Sequence, residues 1–324
     1  MARFIYGACL VLALAWLFGS VPVIAWNNHG HMLVAALAYR ELSAAPAIKA
    51  KVDALIRLNP LIHDWDRRVA TLPAGQRPAA LFAIAATWPD IIKSDDVHHR
   101  ADGPNDGNTP PPDASAFANT GYGDSAMHKY WHFVDTAFTT DGSRLPAVPV
   151  PNAAERIPVL RMTLAARTTT PAAQLLKSYD LVWLLHLVGD IHQPLHAVTR
   201  VSHAQRDGDR GGNLVHLCRA PCRDELHGFW DGALGNDENL SDILRSAMAL
   251  PVVTGAAAMD FDSTKWAMES FSLARSHVYQ PPIGLGAGPF TITAAYREDA
   301  ERIATERVAL AAARLANFLK TDLR

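Results

Sequence analysis

Apolar residues recur at three- and four-residue spacing along most of the chain, the period of helices that turn one face inward. Between about 30 and 41, Met32, Ala35, Ala36 and Tyr39 mark such a face. The same period predicts helices over about 46–58, 78–87, 125–134, 154–166, 173–192, 224–234 and 263–279. A long alanine-rich helix over about 291–320 carries Ile303, Leu310, Leu315, Phe318 and Leu319 as its stripe. Pro194 closes the 173–192 segment, because proline disfavours helical backbone in the residue before it. Alternating, strand-like runs are scarce, and there is no internal repeat or heptad array. The pattern predicts an all-α fold, a single compact multi-helix domain with long loops.

Two segments interrupt the helical period. Residues about 94–124 are rich in Asp, Gly, Pro and Asn and include Pro110-Pro111-Pro112. Residues about 199–223 contain Arg206-Asp-Gly-Asp-Arg-Gly-Gly-Asn213. Both read as surface loops rather than linkers, since residues with shared chemistry flank each of them. The chain opens Met-Ala-Arg-Phe, continues with an apolar run from about Ile5 to Phe18, and reaches Ala25 through small residues. A basic start, a short apolar stretch and small residues describe a secretory signal peptide over 1–25. The run is short for a membrane span, and Cys9 lies inside it rather than at a lipid-attachment position. Cleavage before Trp26 would leave 26–324 as one domain, secreted or periplasmic, with no membrane attachment.

Charge is nearly balanced, 30 Lys and Arg against 32 Asp and Glu. That excludes the broad basic stripe of a protein that grips duplexes by charge alone, so a nucleic-acid partner would be held at a local site. Beyond the leader only Cys218 and Cys222 remain. In an exported chain their spacing favours a small-loop disulfide. A cysteine zinc knuckle is the alternative, but it has no second pair to complete it.

The densest chemistry is histidine and aspartate. His186 and Asp190 are four residues apart, as are His227 and Asp231 in His-Gly-Phe-Trp-Asp, and His196 follows Pro194. Residues four apart share one helical face, and an imidazole beside a carboxylate forms a clamp suited to zinc. Signal removal would free the α-amine of Trp26, which with the adjoining carbonyl can chelate a metal, and His31 lies five residues on. Asp90 in Trp-Pro-Asp and His132 in Trp-His-Phe-Val-Asp complete the donors. Singly each has a plain structural explanation, so the weight rests on their co-occurrence.

In this order, and with the segments His-Leu-Val-Gly-Asp-Ile-His-Gln-Pro-Leu-His and Gly-Gly-Asn, the chain resembles the zinc-dependent S1/P1 nuclease family of the phospholipase C/nuclease superfamily. The resemblance spans nearly all of the chain after Trp26. It implies a mostly α-helical fold with three Zn2+ ions in a cleft. It places one ion on Asp90, His132, His186 and Asp190, and a second on Trp26, His31 and Asp190, which bridges the pair. The third falls to His196, His227 and Asp231. Asp90, Asp190 and Lys93 are then the catalytic residues, with Lys93 near the phosphate, while Phe133 stacks a base, Asp135 bonds its edge and Asn213 lines the cleft.

The implied activity is endonucleolytic hydrolysis of single-stranded RNA and DNA to 5′-phosphorylated products, with 3′-nucleotidase activity. Zinc acidifies bound water to near neutrality, so no separate histidine base is required. A monomer without a stable protein partner is expected. A zinc phospholipase C of the same fold is the nearest alternative, but that branch has Glu where this chain has Asp231. A non-catalytic secreted zinc-binding protein is the other alternative.

Overall fold

The computed structural model describes residues 26–94, 102–104 and 107–324. The leader with Cys9, and His98 and His99, lie outside the described residues. The chain begins with α1 (Asn28–Glu41), α2 (Pro46–Ile56), α3 (Ile62–Val69), α4 (Arg77–Ala85) and the single turn α5 (Trp88–Ile91). After a long loop come β1 (Ala137–Thr139), α6 (Ala153–Ala165), α7 (Pro171–Asp190) and β2 (Thr199–Val201). The remainder is α8 (Leu226–Asp231), α9 (Leu240–Ala249), α10 (Ser263–Leu273) and α11 (Ala294–Asp322).

The core is organised around α7. Thr170 caps it, Pro171 opens its first turn, and every residue from Lys177 to Asp190 is buried. Leu181, Val182, Trp183, Leu184, Leu185, Leu187 and Val188 have no exposed surface. A helix apolar on all sides belongs inside a protein, and α1, α2, α5, α6 and α11 all pack against it. Each buried aliphatic side chain contributes about 1.5–3 kcal/mol, so this stretch together offsets the several kcal/mol that burying one carboxylate costs. The helix can therefore carry His186 and Asp190 into the interior.

The predicted helix over 125–134 does not form. Residues 129–131 make one 3-10 turn, entered through His128 in left-handed backbone at φ 46°. The segment is tethered elsewhere: His128 N–H donates to Asp102, and its ring stacks on Trp131 at 3.6 Å. Beyond it the Val134 N–H reaches His196 O at 2.7 Å, and β1 pairs with β2 in parallel, Phe138 opposite Arg200. These bonds replace the intrahelical ladder and zip the His132 segment to the His196 turn. Helices α3 and α9 add to the predicted set, and 263–279 splits into α10 and a π-turn over 274–278. No helix among the described residues is long and apolar enough to cross a membrane.

Candidate metal centre

Five donors meet where α1, α5, α7 and the 132 segment converge. The two oxygens of Asp190 face opposite ways. Its Oδ1 lies 3.3 Å from His31 Nε2, while Oδ2 lies 3.0 Å from His132 Nδ1 and 3.2 Å from His186 Nε2. Asp90 Oδ1 is 3.5 Å from His186 Nε2 and 3.8 Å from His132 Nδ1, and the two imidazole nitrogens are 3.0 Å apart. Donors about 2.05 Å from a tetrahedral zinc would stand about 3.3 Å from one another, so these four atoms outline a cage of that size.

Hydrogen-bond accounting points the same way. His186 Nδ1 faces Ala86 O at 2.7 Å. A carbonyl only accepts, so a proton sits on Nδ1, and Nε2 is the nitrogen turned towards the Asp90 and Asp190 carboxylates. Both ring nitrogens of His31, Nε2 of His132, Oδ2 of Asp90 and Oδ1 of Asp190 are buried without a hydrogen bond. Leaving a buried polar atom unmet costs about 1–3 kcal/mol, so the unmet oxygens of Asp90 and Asp190 and the His31 Nε2 that faces Asp190 fit a bound cation. Gly189 makes the approach of His31 possible, since a Cβ there would lie 2.9 Å from His31 Nδ1.

The second cluster stands on shorter elements. His196 follows the Pro194 turn, and His227 and Asp231 bracket the six-residue α8. Nδ1 of His196 faces His132 O at 2.8 Å, and Nδ1 of His227 faces Gly211 O at 2.7 Å. By the same argument both Nε2 atoms are bare acceptors, yet they lie 3.1 Å apart. Two acceptors cannot bond each other, and a shared cation resolves the contact. Asp231 Oδ2 lies 3.5 Å from His227 Nε2, and its Oδ1 accepts from Gln193 Nε2 at 2.7 Å.

Electrostatics separates the clusters. Burial raises Asp190, but His186 and His196 beside it, with bonds from His132 and His186, hold it well below the carboxylate range. Asp90 behaves likewise, with Lys93 and then His186 outweighing burial. Burial pushes Asp231 well above that range, and Gln193 does not compensate. Burial also lowers His31 to about 4, helped by His186, and His132 to about 3, helped by Lys93. His227 falls to about 3, through burial and then His196, so these rings are neutral donors at physiological pH.

The remaining sequence candidates fall around the two clusters. Lys93 Nζ bonds Asp90 Oδ1 at 2.6 Å. Trp26 is buried, with Nε1 donating to Gly189 O at 3.0 Å. Phe133 and Asp135 are partly exposed. Asn213 Nδ2 donates to Arg210 O at 2.6 Å, so its amide donor serves its own turn. Cys218 and Cys222 are joined by a disulfide, which rules out the zinc knuckle. The sequence reading missed Gln193 although it sits inside a quoted motif, because its bond to Asp231 spans 38 residues. It missed Ala86 and Gly211 because they act through carbonyls, which no side-chain pattern shows. His192, in the same quoted motif, has its ring buried between Val188 O and Arg314.

Comparison with curated proteins gives no match. A family profile described as S1/P1 Nuclease matches residues 26–324, from the buried tryptophan to the last residue. Buried imidazoles and carboxylates set at metal-ligand spacing are what a metal-dependent hydrolase of nucleic acid requires, and the chain belongs to the S1/P1 nuclease family.

Proposed function

We propose that this protein is a zinc-dependent endonuclease of single-stranded RNA and DNA that leaves 5′-phosphates and also removes 3′-phosphates from nucleotides. The observation that carries the reading is the contact between His196 Nε2 and His227 Nε2 at 3.1 Å, both held as acceptors. Three ions are assigned. Asp90, His132, His186 and Asp190 hold one, and Trp26 through its freed amine and carbonyl, with His31 and Asp190, holds the second. His196, His227 and Asp231 hold the third. When bound, zinc supplies Lewis acidity and acidifies water for attack on phosphorus.

The chain's own groups do the rest. Asp190 offers one oxygen to each side and so fixes the spacing of the close pair. Asp90 is oriented by Lys93, whose ammonium places positive charge where a phosphate enters. Phe133 stacks an unpaired base, since a base in a duplex has both faces covered. Asp135 bonds the base edge, and Asn213 lines the cleft. Residues 1–25 act as a cleaved leader, 26–324 form the enzyme domain, and the product is a secreted or periplasmic monomer.

The test is metal analysis and product mapping on the chain beginning at Trp26. Three zinc ions per chain and single-strand cleavage abolished by chelator are expected, with 5′-phosphate ends. Release of choline phosphate from lipid with no nucleotide release overturns the reading.

A further inference from the structure

The chain entering α1 is fastened to the loop that leaves α8. Asn27 carries most of the attachment. Its Oδ1 accepts from Gly30 N–H at 3.0 Å and so caps α1, the helix that bears His31. Its Nδ2 gives one hydrogen to Gly235 O at 2.7 Å and the other to Asn236 Oδ1 at 2.5 Å. Its backbone N–H points at Asp231 O, 3.4 Å away. Asn28 Nδ2 donates to Glu238 Oε1 at 2.8 Å, and His29 Nδ1 to Asp237 O at 2.6 Å. Each of residues 235–238 thus accepts a hydrogen from residues 27–29, which stand 208 to 210 positions earlier in the chain.

The local backbone is shaped for this attachment. A Cβ on Gly30 would lie 2.9 Å from Trp26 Cβ, so only glycine lets the chain fold back over the first turn of α1. The indole that fills the space is fully buried and donates from Nε1 to Gly189 O at 3.0 Å. In the loop, Gly235 sits at φ 110°, where a side chain would strain the backbone, and turns its carbonyl to Asn27. Packing of the indole thus anchors residue 26, and hydrogen bonds to the loop anchor residues 27 to 29. An N-cap needs only a side-chain oxygen, which Ser, Thr or Asp supplies as well. The two amide hydrogens of Asn27 serve the loop alone.

We propose that residues 235–238 are a docking cradle for the processed N-terminus, with Asn27 and Asn236 as the positioning residues that hold the Trp26 amine and carbonyl at the metal centre. This rests on the reading that cleavage before Trp26 frees that amine as a ligand. A chain end frays unless it is tied down. A ligand that is in place for only a fraction of the time weakens binding of its ion by that fraction. An imidazole or a carboxylate is aimed by a hydrogen bond to its own side chain, as His186 is by Ala86 O. An α-amine has no side chain to aim, so the residues that follow it must fix its place. Asn27 does so by bonding the start of α1 and the 235–238 loop at once.

The experiment compares the chain from Trp26 with variants that leave α1 capped. Asn27→Asp keeps the capping oxygen but sets a carboxylate against Gly235 O and Asn236 Oδ1. Asn236→Ala removes an acceptor from an exposed residue of the loop. In the metal-free chain, acetylation of the Trp26 amine is followed by peptide mass spectrometry. It should speed up about 30-fold in Asn27→Asp, which loses two bonds, and about fivefold in Asn236→Ala, which loses one. Competition with a chelator should show one of three zinc ions held about 10–100-fold more weakly in Asn27→Asp, the others unchanged. Asn236→Asp keeps the acceptor and should match the parent chain in both measurements. Parent-like acetylation and ion affinity in Asn27→Asp overturn the proposal, and so does an Asn236→Asp that behaves like Asn236→Ala. A chain that retains Ala25 and still binds all three ions as tightly overturns the amine assignment beneath the proposal, and the proposal with it.

Discussion

The close cluster around Asp190 and the cluster around His227 use the same donor types but are built in opposite ways. The first hangs on α1, α5 and α7, with α7 buried from Lys177 to Asp190. Its carboxylates sit beside Lys93 and beside His186, whose ring Asp190 and Asp90 raise against burial, so their charge is met without an ion. The second hangs on a six-residue helix, a proline turn and a glycine loop. Its only carboxylate is pushed up by burial and left uncompensated. The first cluster is therefore balanced within the fold, while the second would need a bound cation to complete it. An ion that has to bind and leave a substrate oxygen belongs in the second setting.

The strongest way to break this contrast is Asp190→Asn. Loss of the shared carboxylate should remove two of three ions and lower the hydrolysis rate by about 10³-fold or more, since each ion contributes several kcal/mol. A variant with three ions and full rate would end the bridging assignment. His227→Ala should remove one ion, keep two, and slow hydrolysis by about 100-fold. If elemental analysis finds all three ions gone, the clusters are not independent. Gln193→Leu leaves every ligand in place and frees the Asp231 carboxylate to rotate. One ion's affinity should weaken about 10–100-fold, measured by competition with a chelator. An affinity unchanged for all three ions denies Gln193 a part in holding Asp231.

Acid should strip metal from both clusters. Asp231 in one and His186 in the other take up a proton above the ordinary range of their side chains, so metal competes with a proton in each as pH falls. Asp190 stays ionised far below that, and His31 and His132 stay neutral to about 4 and about 3. Metal release followed in a pH titration should involve both clusters, and loss confined to one contradicts this. In the metal-free chain the lowered imidazoles act on stability as well. Their contribution is present above the ordinary pKa of about 6.5 and lost as pH falls towards about 4 to 3. The smallest effect is expected from reducing Cys218–Cys222, which closes a hairpin just before α8. Entropy of so short a loop limits it to about 2 kcal/mol, and the second cluster should weaken while the first is unmoved.

The same contrast explains what the sequence made legible. His186 and Asp190 were readable because a long buried helix repeats every turn, and so were α1, α2 and α11. His227 and Asp231 were readable because four-residue spacing survives even in a helix of six. The 132 segment was misread as helical because its apolar residues serve a 3-10 turn held by tertiary bonds, such as Val134 N to His196 O. Helix α3 was missed because Trp65 and Val69 are its only buried residues, too thin a stripe to register. Helix α9 was missed although Asn239 caps it, its side chain accepting from the N–H groups of Ser241 and Asp242. The arrangement of ligands into clusters was not readable from spacing at all, because it depends on contacts such as His31 to Asp190, far apart in the chain.

The carbonyls of Ala86, His132 and Gly211 aim three of the imidazoles. A carbonyl belongs to the main chain, so these three rings are aimed by the path of the backbone, whereas the carboxylates of Asp231 and Asp90 are held by the side chains of Gln193 and Lys93. Replacing Ala86 by another helix-compatible residue should leave the His186 ring where it is, provided the added atoms fit. What the centre cannot absorb is a change in the path of the main chain, by insertion, deletion or proline, within these three stretches. Of the three positions only Ala86 tolerates a change of side chain: His132 is itself a donor, and at Gly211, in left-handed backbone, a Cβ would lie 2.4 Å from Leu195 O.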